Sequence, residues 1–262
     1  MPDIKVVSRE SHADKRWQRY TSYSFADGDA VAQLVVQELP KAAMVLPVGF
    51  VAVGDGFLPV AVQGLQPGKN LLVAADGRWL GGYIPAAYRS YPFMLANTED
   101  GQQVLCFIED SGLLSDTEGE SFFAEDGEPA QSVKDVLNFL TQVFANRQAT
   151  QRICEALQKH NLIQPWPITL QTDAGEQVVE GLHRIDEAAL NSLSAEAFDE
   201  VRQAGALPVA YCQLLSMQHL PKLGQLAQAH AAQQLTSLET PDGELDLEFL
   251  NDGGTISFGG LR

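Results

Sequence analysis

The chain has 262 residues, 45% of them hydrophobic, and its 34 acidic against 17 basic side chains give a formal net charge of −17. This composition supports a sizeable folded core and excludes a chain that is disordered throughout. An acidic chain repels nucleic-acid phosphates, and the one basic cluster, residues 15–19, holds only three positive charges, so we expect no nucleic-acid partner.

The first part of the chain is predicted to be β structure. Apolar runs lie at 44–53, 57–62, 70–75, 78–81, 91–96 and 103–108, and Asp-Gly pairs at 55–56, 76–77 and 100–101 favour tight turns between them. A calcium loop requires several acidic residues at alternate positions before the glycine, and these segments lack that spacing. We therefore interpret the Asp-Gly pairs as turns.

The middle of the chain is predicted to be helical. Apolar residues at 133, 136, 137, 140, 143 and 144 follow the three- and four-residue spacing of one helix face. We predict a long helix over 131–160 that Pro129 precedes and Asn161 ends. The weaker pattern at 146–151 allows a break or a change of register there.

The remaining elements follow from prolines, caps and alternation. Pro165 and Pro167 force an extended path around Trp166. Two strands are predicted at 168–171 and 177–183, and helices at 187–193 and 195–203 are predicted to be capped by Asp186 and Ser194. Two further helices are predicted at 209–218 and 222–235. The tail after residue 235 is compatible with a hairpin or a flexible extension.

These elements predict an α+β fold. A bent antiparallel sheet is expected from roughly residues 40–110, joined by strands from 168–183 and covered by a packed helical layer. We expect residues 1–235 to form a single α+β domain and residues 236–262 to form a C-terminal extension or hairpin.

Cysteine and histidine usage limits the chemistry. Three widely spaced cysteines without a Cys-x-x-Cys pair disfavour a disulfide framework and a zinc site, and suit a reducing compartment. The five histidines lack the paired spacing of a metal site, so we expect neither a metal nor a cofactor. No run approaches the ~18 apolar residues of a membrane span, and the polar N-terminus lacks a secretory signal. We expect a cytoplasmic protein; the sequence does not define its oligomeric state.

The most distinctive segment is residues 82–93. It combines three tyrosines with Phe93, two prolines and Arg89, and it contains no acid. A predicted strand that ends in Glu109 and Asp110 follows it, so the guanidinium can pair with either carboxylate or bind a ligand carboxylate in the same way. The rings can line a peptide groove or pack in a core. The candidate binding residues are Trp79, Tyr83, Tyr88, Arg89, Tyr91, Phe93, Glu109, Asp110, Trp166 and His183.

A second distinctive feature is the charge of residues 97–135, which carry eleven acidic side chains against Lys134 alone. One interpretation is a solvated acidic loop that keeps the protein in solution. The other is a docking surface for a basic partner.

An ordered set of short motifs resembles the SapC family. The motifs are Ser-Arg-Glu-Ser-His at 8–12, Asp-Gly-Arg-Trp at 76–79, Tyr-Ile-Pro at 83–85, Arg-Ser-Tyr-Pro-Phe at 89–93, Glu-Asp-Ser-Gly-Leu at 109–113, Gln-Pro-Trp-Pro-Ile at 164–168, Glu-Gly-Leu-His-Arg-Ile-Asp-Glu at 180–187 and Gly-Ala-Leu-Pro-Val-Ala-Tyr at 205–211. Ser90 stands where a second arginine is expected after Arg89. The resemblance implies an accessory cytoplasmic role in bacterial surface-layer or outer-membrane uptake systems, and it implies no reaction and no catalytic residues.

Two functional hypotheses follow. The first is a non-catalytic accessory protein that binds a protein or peptide partner through the surface around residues 83–93 and the acidic residues 97–128. The alternative is a small-molecule enzyme in which Arg89 anchors an anion and Asp110 or His183 transfers a proton. The sequence contains no recognisable catalytic signature, so we favour the first hypothesis.

Overall fold

A computed structural model describes residues 2–98, 100–172, 175–238 and 256–257. The strands in these residues are β1 Ile4–Val6, β2 Arg16–Trp17, β3 Val31–Gln33, β4 Val48–Val53, β5 Gly56–Val62, β6 Phe93–Asn97, β7 Gln103–Ile108, β8 Leu114–Ser115, β9 Glu120–Ser121, β10 Ile163–Pro165, β11 Ile168–Thr172, β12 Gly175–Glu180, β13 Leu182–Ile185 and β14 Ile256–Ser257. The helices are α1 Arg9–His12, α2 Leu39–Ala42, α3 Ala86–Arg89, α4 Gln131–Lys159, α5 Glu187–Asn191, α6 Ala195–Gln203, α7 Ala206–Ser216 and α8 Leu220–Leu238. The α+β class is thus confirmed.

The chain divides into two compact units. The first unit comprises Met1–Ser22 and Ala86–Gln148, and the second comprises Tyr23–Pro85 and Ala149–Arg262. The strands predicted to form one bent sheet are therefore distributed: β4 and β5 belong to a sheet of the second unit, whereas β6 and β7 belong to a sheet of the first. The single domain over residues 1–235 stays a prediction.

The first unit holds two three-stranded antiparallel sheets, in the orders β1-β7-β6 and β8-β2-β9. Alternation along β7 places Phe107 on the same face as its cross-strand neighbour Phe93. These two rings form an aromatic core with Trp17 and Phe122. The Phe93 and Phe107 ring centroids lie 4.9 Å apart in an edge-to-face arrangement, and those of Trp17 and Phe93 lie 4.8 Å apart.

The second unit is built on a five-stranded sheet in the order β10-β13-β4-β5-β3. Helix α7 packs on β4 and β13. Its buried Gln213 accepts a hydrogen bond from the backbone N–H of Ile185 at 2.8 Å and donates one to the carbonyl of Val48 at 3.1 Å. A helix side chain thereby connects two neighbouring strands across the apolar core.

The hairpin predicted from residues 70–75 and 78–81 forms in a shortened version. Val73 and Trp79 make an antiparallel bridge, and backbone hydrogen bonds flank it, from the N–H of Ala74 to the carbonyl of Arg78 at 2.9 Å and from the N–H of Leu80 to the carbonyl of Leu72 at 2.7 Å. Buried Asn70 donates to the carbonyl of Ala26 and to the side chain of Gln63, both at 3.0 Å, and accepts from the N–H of Leu72 at 2.9 Å. These side-chain hydrogen bonds hold the residues before the bridge in a turn, so the pairing stays short.

Other boundaries differ in smaller ways. Helix α4 runs without a break through residues 146–151, and α2 was not predicted. The strand predicted at 177–183 is divided at Gly181, whose φ of 89° ends β12 before β13 begins. Most of residues 236–262 lies outside the described residues; within them, β14 pairs in parallel with β12.

Candidate functional site

The ten predicted binding residues fall into two groups. Pro85 ends a stretch of the second unit, and Ala86 begins a stretch of the first. Tyr88, Arg89, Tyr91, Phe93, Glu109 and Asp110 therefore belong to the first unit, and Trp79, Tyr83, Trp166 and His183 to the second.

Arg89 is the cation of the first group. It ends α3, its side chain is exposed, and the central carbon of its guanidinium lies 5.4 Å from the ring centroid of Phe139 on α4. This distance is within the range of a cation–π contact. The Phe139 ring therefore contributes to orienting the guanidinium of this exposed residue.

Two aromatic residues beside Arg89 are structural. Tyr88 and Phe93 are only 5% and 3% exposed, and Phe93 belongs to the aromatic core. Their rings are packed inside the first unit, so they are not available for contact with a partner. For these two residues the core-packing interpretation of the sequence holds.

Tyr91 lies at the border between this core and the surface. It is half-buried, and its ring makes an edge contact with Tyr20 at a centroid distance of 6.1 Å. Burial raises the pKa of the Tyr91 phenol, and the charge of Asp110 raises it further. Tyr91 therefore stays a neutral hydrogen-bonding group at physiological pH.

The two carboxylates after β7 are held by the N-terminal strand. Asp110 accepts a hydrogen bond from the N–H of Asp3 at 3.0 Å, and the N–H of Glu109 donates to the carbonyl of Asp3 at 2.8 Å. The Glu109 carboxylate contacts the Lys5 ammonium with one oxygen, and its other oxygen lies 3.6 Å from Nε2 of His12. Glu109 thus joins β1 to α1.

His12 is the residue in this region that sequence reasoning did not select. It is fully buried, and its ring lies 4.7 Å from Phe122 and 6.3 Å from Phe107, measured between centroids. Burial lowers the pKa of His12, and the nearby Glu109 carboxylate partly opposes that shift. The Ser-Arg-Glu-Ser-His motif at residues 8–12 pointed to His12, but it did not indicate which residues His12 contacts.

The basic cluster and part of the acidic segment contact each other. Strand β2 lies between β8 and β9, so that Lys15 pairs with Asp116 at 2.5 Å and Arg19 with Glu120 at 2.8 Å. Gln18 also donates to Glu118 at 3.1 Å. Part of the predicted docking surface is therefore already paired with residues of the same chain. The opposite charges of residues 15–19 and 116–120 were the feature of the sequence that could have predicted this pairing.

The second group includes a polar chain through Tyr83. The indole N–H of Trp79 donates to the carbonyl of Tyr83 at 3.0 Å, and the Tyr83 hydroxyl donates to the buried Glu38 carboxylate at 2.9 Å. The other oxygen of Glu38 accepts from the N–H of Val35 at 2.9 Å. This arrangement fixes both aromatic side chains.

Trp166 and His183 lie on the five-stranded sheet. Trp166 is 6% exposed, and a Cβ at Gly49 would stand 3.5 Å from its ring, so the indole packs on the glycine backbone. The His183 ring makes an edge contact with Phe57 at 4.9 Å. Its Nδ1 is buried and has no hydrogen-bond partner within the described part of the chain. Trp166 is a core side chain, and His183 contacts an aromatic ring.

The described residues contain no group of histidine, cysteine and acidic side chains that could hold a metal ion. Likewise, none of the helices in residues 2–98, 100–172 and 175–238 combines the length and apolar character needed to cross a bilayer.

The sequence profile of the SapC family matches residues 7–223. The chain belongs to the SapC family. That match covers most of both units and includes every candidate residue named above. No curated protein and no solved structure matches the chain.

Proposed function

We propose that this SapC family chain is a non-catalytic binding protein. It captures a protein or peptide partner through the surface that Arg89 and Phe139 form on the first unit. In keeping with the family resemblance, the partner belongs to a bacterial surface-layer or outer-membrane uptake system, and the protein acts in the cytoplasm as an accessory component. The observation that carries the proposal is the exposed residue Arg89, whose guanidinium lies over the Phe139 ring.

The chemistry of this pair defines the partner. A guanidinium offers five N–H donors in a planar fork that fits a carboxylate with two parallel hydrogen bonds. A ring directly beneath it supplies apolar contact area at low entropic cost. The partner segment is therefore expected to carry a carboxylate next to an apolar side chain.

Rigid support favours binding at this position. Arg89 ends a short helix whose Tyr88 is buried, and Phe93 anchors the following strand in the aromatic core. A side chain on a pre-organised base loses less freedom when it binds. The acidic segment contributes less than the sequence suggested, because Asp116 and Glu120 are engaged with the basic cluster.

The test begins by identifying the partner. A photo-crosslinking amino acid at Ala87, an exposed position of α3, is expected to trap the partner in the host cells, and the same amino acid at Asp55 in the second unit is the position control. The partner is then purified, and its dissociation constant is measured by calorimetry.

Substitution of the anchor gives the decisive comparison. We expect Arg89→Ala to weaken binding by about tenfold or more, as for a central arginine of an interface, and Arg89→Lys to restore only part of the affinity. Arg78→Ala is the matched control, because Arg78 is an exposed arginine of the second unit that pairs with Asp76. Unchanged affinity of a correctly folded Arg89→Ala protein would contradict the proposal.

The enzyme hypothesis lacks a supporting observation of this kind. Asp110 accepts a hydrogen bond from the backbone N–H of Asp3, and the ring of His183 packs on Phe57. We therefore propose no reaction.

A further inference from the structure

His12 occupies a position that is unusual for a titratable group. Its side chain has no exposed surface, two phenylalanine rings lie on its apolar side, and a carboxylate lies opposite. The charged groups that act on it are Glu109 after β7, Lys5 on β1 and Lys15 after α1. The proposed binding surface does not use any of these groups.

The hydrogen bonding of His12 selects a neutral imidazole. The backbone N–H of Ser8 donates to Nδ1 of His12 at 3.4 Å, so Nδ1 acts as an acceptor, and the proton of the neutral ring is on Nε2. That proton faces the carboxylate of Glu109, at a separation of 3.6 Å between Nε2 and Oε1. The distance exceeds a normal hydrogen bond, and Nε2 has no hydrogen-bond partner among the described residues.

Protonation disturbs this arrangement at two points. A second ring proton on Nδ1 would point at the Ser8 N–H, which is itself a donor, so the contact would become repulsive. A positive charge would also be placed against Phe107 and Phe122 without water. The attraction of Glu109 offsets part of this cost, but burial is the larger effect, and the pKa of His12 is lowered.

The groups that contact His12 also hold strand β1. Ser8 lies two residues after that strand, and Glu109 binds its Lys5 side chain and donates a backbone hydrogen bond to Asp3 just before it. Strand β1 itself has three exposed residues, so apolar burial contributes little to keeping it in place. Backbone pairing with β7 and the polar contacts around His12 therefore retain β1 together.

We propose that His12 and Glu109 form a proton-operated latch, which holds β1 on the first unit at neutral pH and releases it when His12 is protonated. The released strand uncovers the β7 edge and frees the Glu109–Ser111 turn. Acidification thus causes the change, and its structural result is an exposed edge of the sheet at β7.

The direction and size of the pH response follow from linkage. Because the folded pKa lies below the ordinary histidine value of about 6.5, the closed latch binds fewer protons than the open one. The latch is fully stable above about pH 6.5 and weakens as the pH falls toward the folded pKa. Within that window the opening constant rises by up to about tenfold per pH unit.

Hydrogen exchange of the intact protein tests the latch. Deuterium pulses at pH 7.5 and pH 5.5, corrected for intrinsic exchange rates, are read by mass spectrometry in a peptide covering residues 3–8 and in a reference peptide covering α6. We expect protection of residues 3–8 to fall at the lower pH and that of α6 to stay constant. Constant protection of residues 3–8 would overturn the proposal.

Two variants assign the effect to His12. His12→Asn keeps an acceptor near the position of Nδ1 but cannot titrate, so protection of residues 3–8 is expected to become independent of pH. His160→Asn is the matched control, since His160 faces Glu200 in the second unit and its loss should leave the response unchanged. A pH response of equal size in folded His12→Asn would refute the assignment.

A direct titration covers the case in which His12→Asn does not fold. In the wild-type protein, the carbon-13 resonance of the His12 ring is expected to titrate with a midpoint below 6.5. Glu109→Gln removes the carboxylate that favours the charged ring and should move this midpoint lower still. A wild-type midpoint at or above 6.5, or an upward shift in Glu109→Gln, would contradict the latch.

Discussion

The connection between α7 and the five-stranded sheet depends on Gln213, and its replacement by leucine tests that role. Leucine has a similar size but can neither accept from Ile185 nor donate to Val48. The Ile185 N–H would then be buried without an acceptor. The Val48 carbonyl would keep the Ser216 hydroxyl at 3.4 Å as a neighbour.

The expected cost follows from these two groups. A buried N–H without an acceptor costs about 1–3 kcal/mol, and loss of the amide–carbonyl bond costs about 0.5–1.5 kcal/mol. Replacing a buried amide by an apolar side chain offsets about 1 kcal/mol. We therefore expect Gln213→Leu to lower the free energy of unfolding by about 2 kcal/mol, and to lower Tm by about 4–8 °C.

Urea unfolding followed by far-UV circular dichroism measures this change, and hydrogen exchange at the Ile185 amide locates it. Gln218→Leu is the control, because Gln218 is exposed just after α7 and its replacement should change stability by less than about 0.5 kcal/mol. If Gln213→Leu were as stable as the control, and if the Ile185 amide kept its protection, the two hydrogen bonds would not hold the helix to the sheet.

Two further predictions concern a glycine and a cysteine. Gly119→Ala should destabilise the protein by more than about 2 kcal/mol in urea unfolding, because Gly119 has a φ of +102° and a Cβ there would lie 2.3 Å from the Trp17 carbonyl oxygen. Gly101→Ala, with a φ of +79° and open space around it, should cost only about 1 kcal/mol, and equal effects would show that the close approach is unimportant. Burial raises the pKa of Cys154 to about 12, so iodoacetamide at pH 8 should label it only after unfolding, as mass spectrometry would show; rapid labelling of the native protein would contradict this.

Local signals predicted most elements of the fold. Strand β7 and helix α6 have the predicted boundaries, and the side chains of Asp186 and Ser194 cap the helices that follow them at 3.0 Å and 3.2 Å. Caps, prolines and apolar spacing act over a few residues, so they can be recognised without knowing the partners of an element. Where the buried side chain of Asn70 bonds to the neighbouring backbone, the same reasoning predicted a longer hairpin than the one around the Val73–Trp79 bridge.

The candidate site was predictable only in part. Arg89 was selected because it is the one cation of an aromatic and proline-rich segment that contains no acid, and it is exposed as expected. Tyr88 and Phe93 look the same in sequence but are buried, since the direction of each side chain depends on the backbone of α3 and β6. Glu109 was selected as a partner for Arg89, whereas its observed contacts include Lys5 and His12.

Short spacings and ordered motifs were enough to predict the α+β class, the long helix α4, the turns at Asp-Gly pairs and the membership of the SapC family. Which distant segments meet became known from the folded structure. The pairing of β2 with β8 and β9, and of His12 with Glu109, joins the N-terminal residues to segments about a hundred positions later. Such contacts depend on the packing of the aromatic core and on strand register, and no local pattern of residues specifies either one.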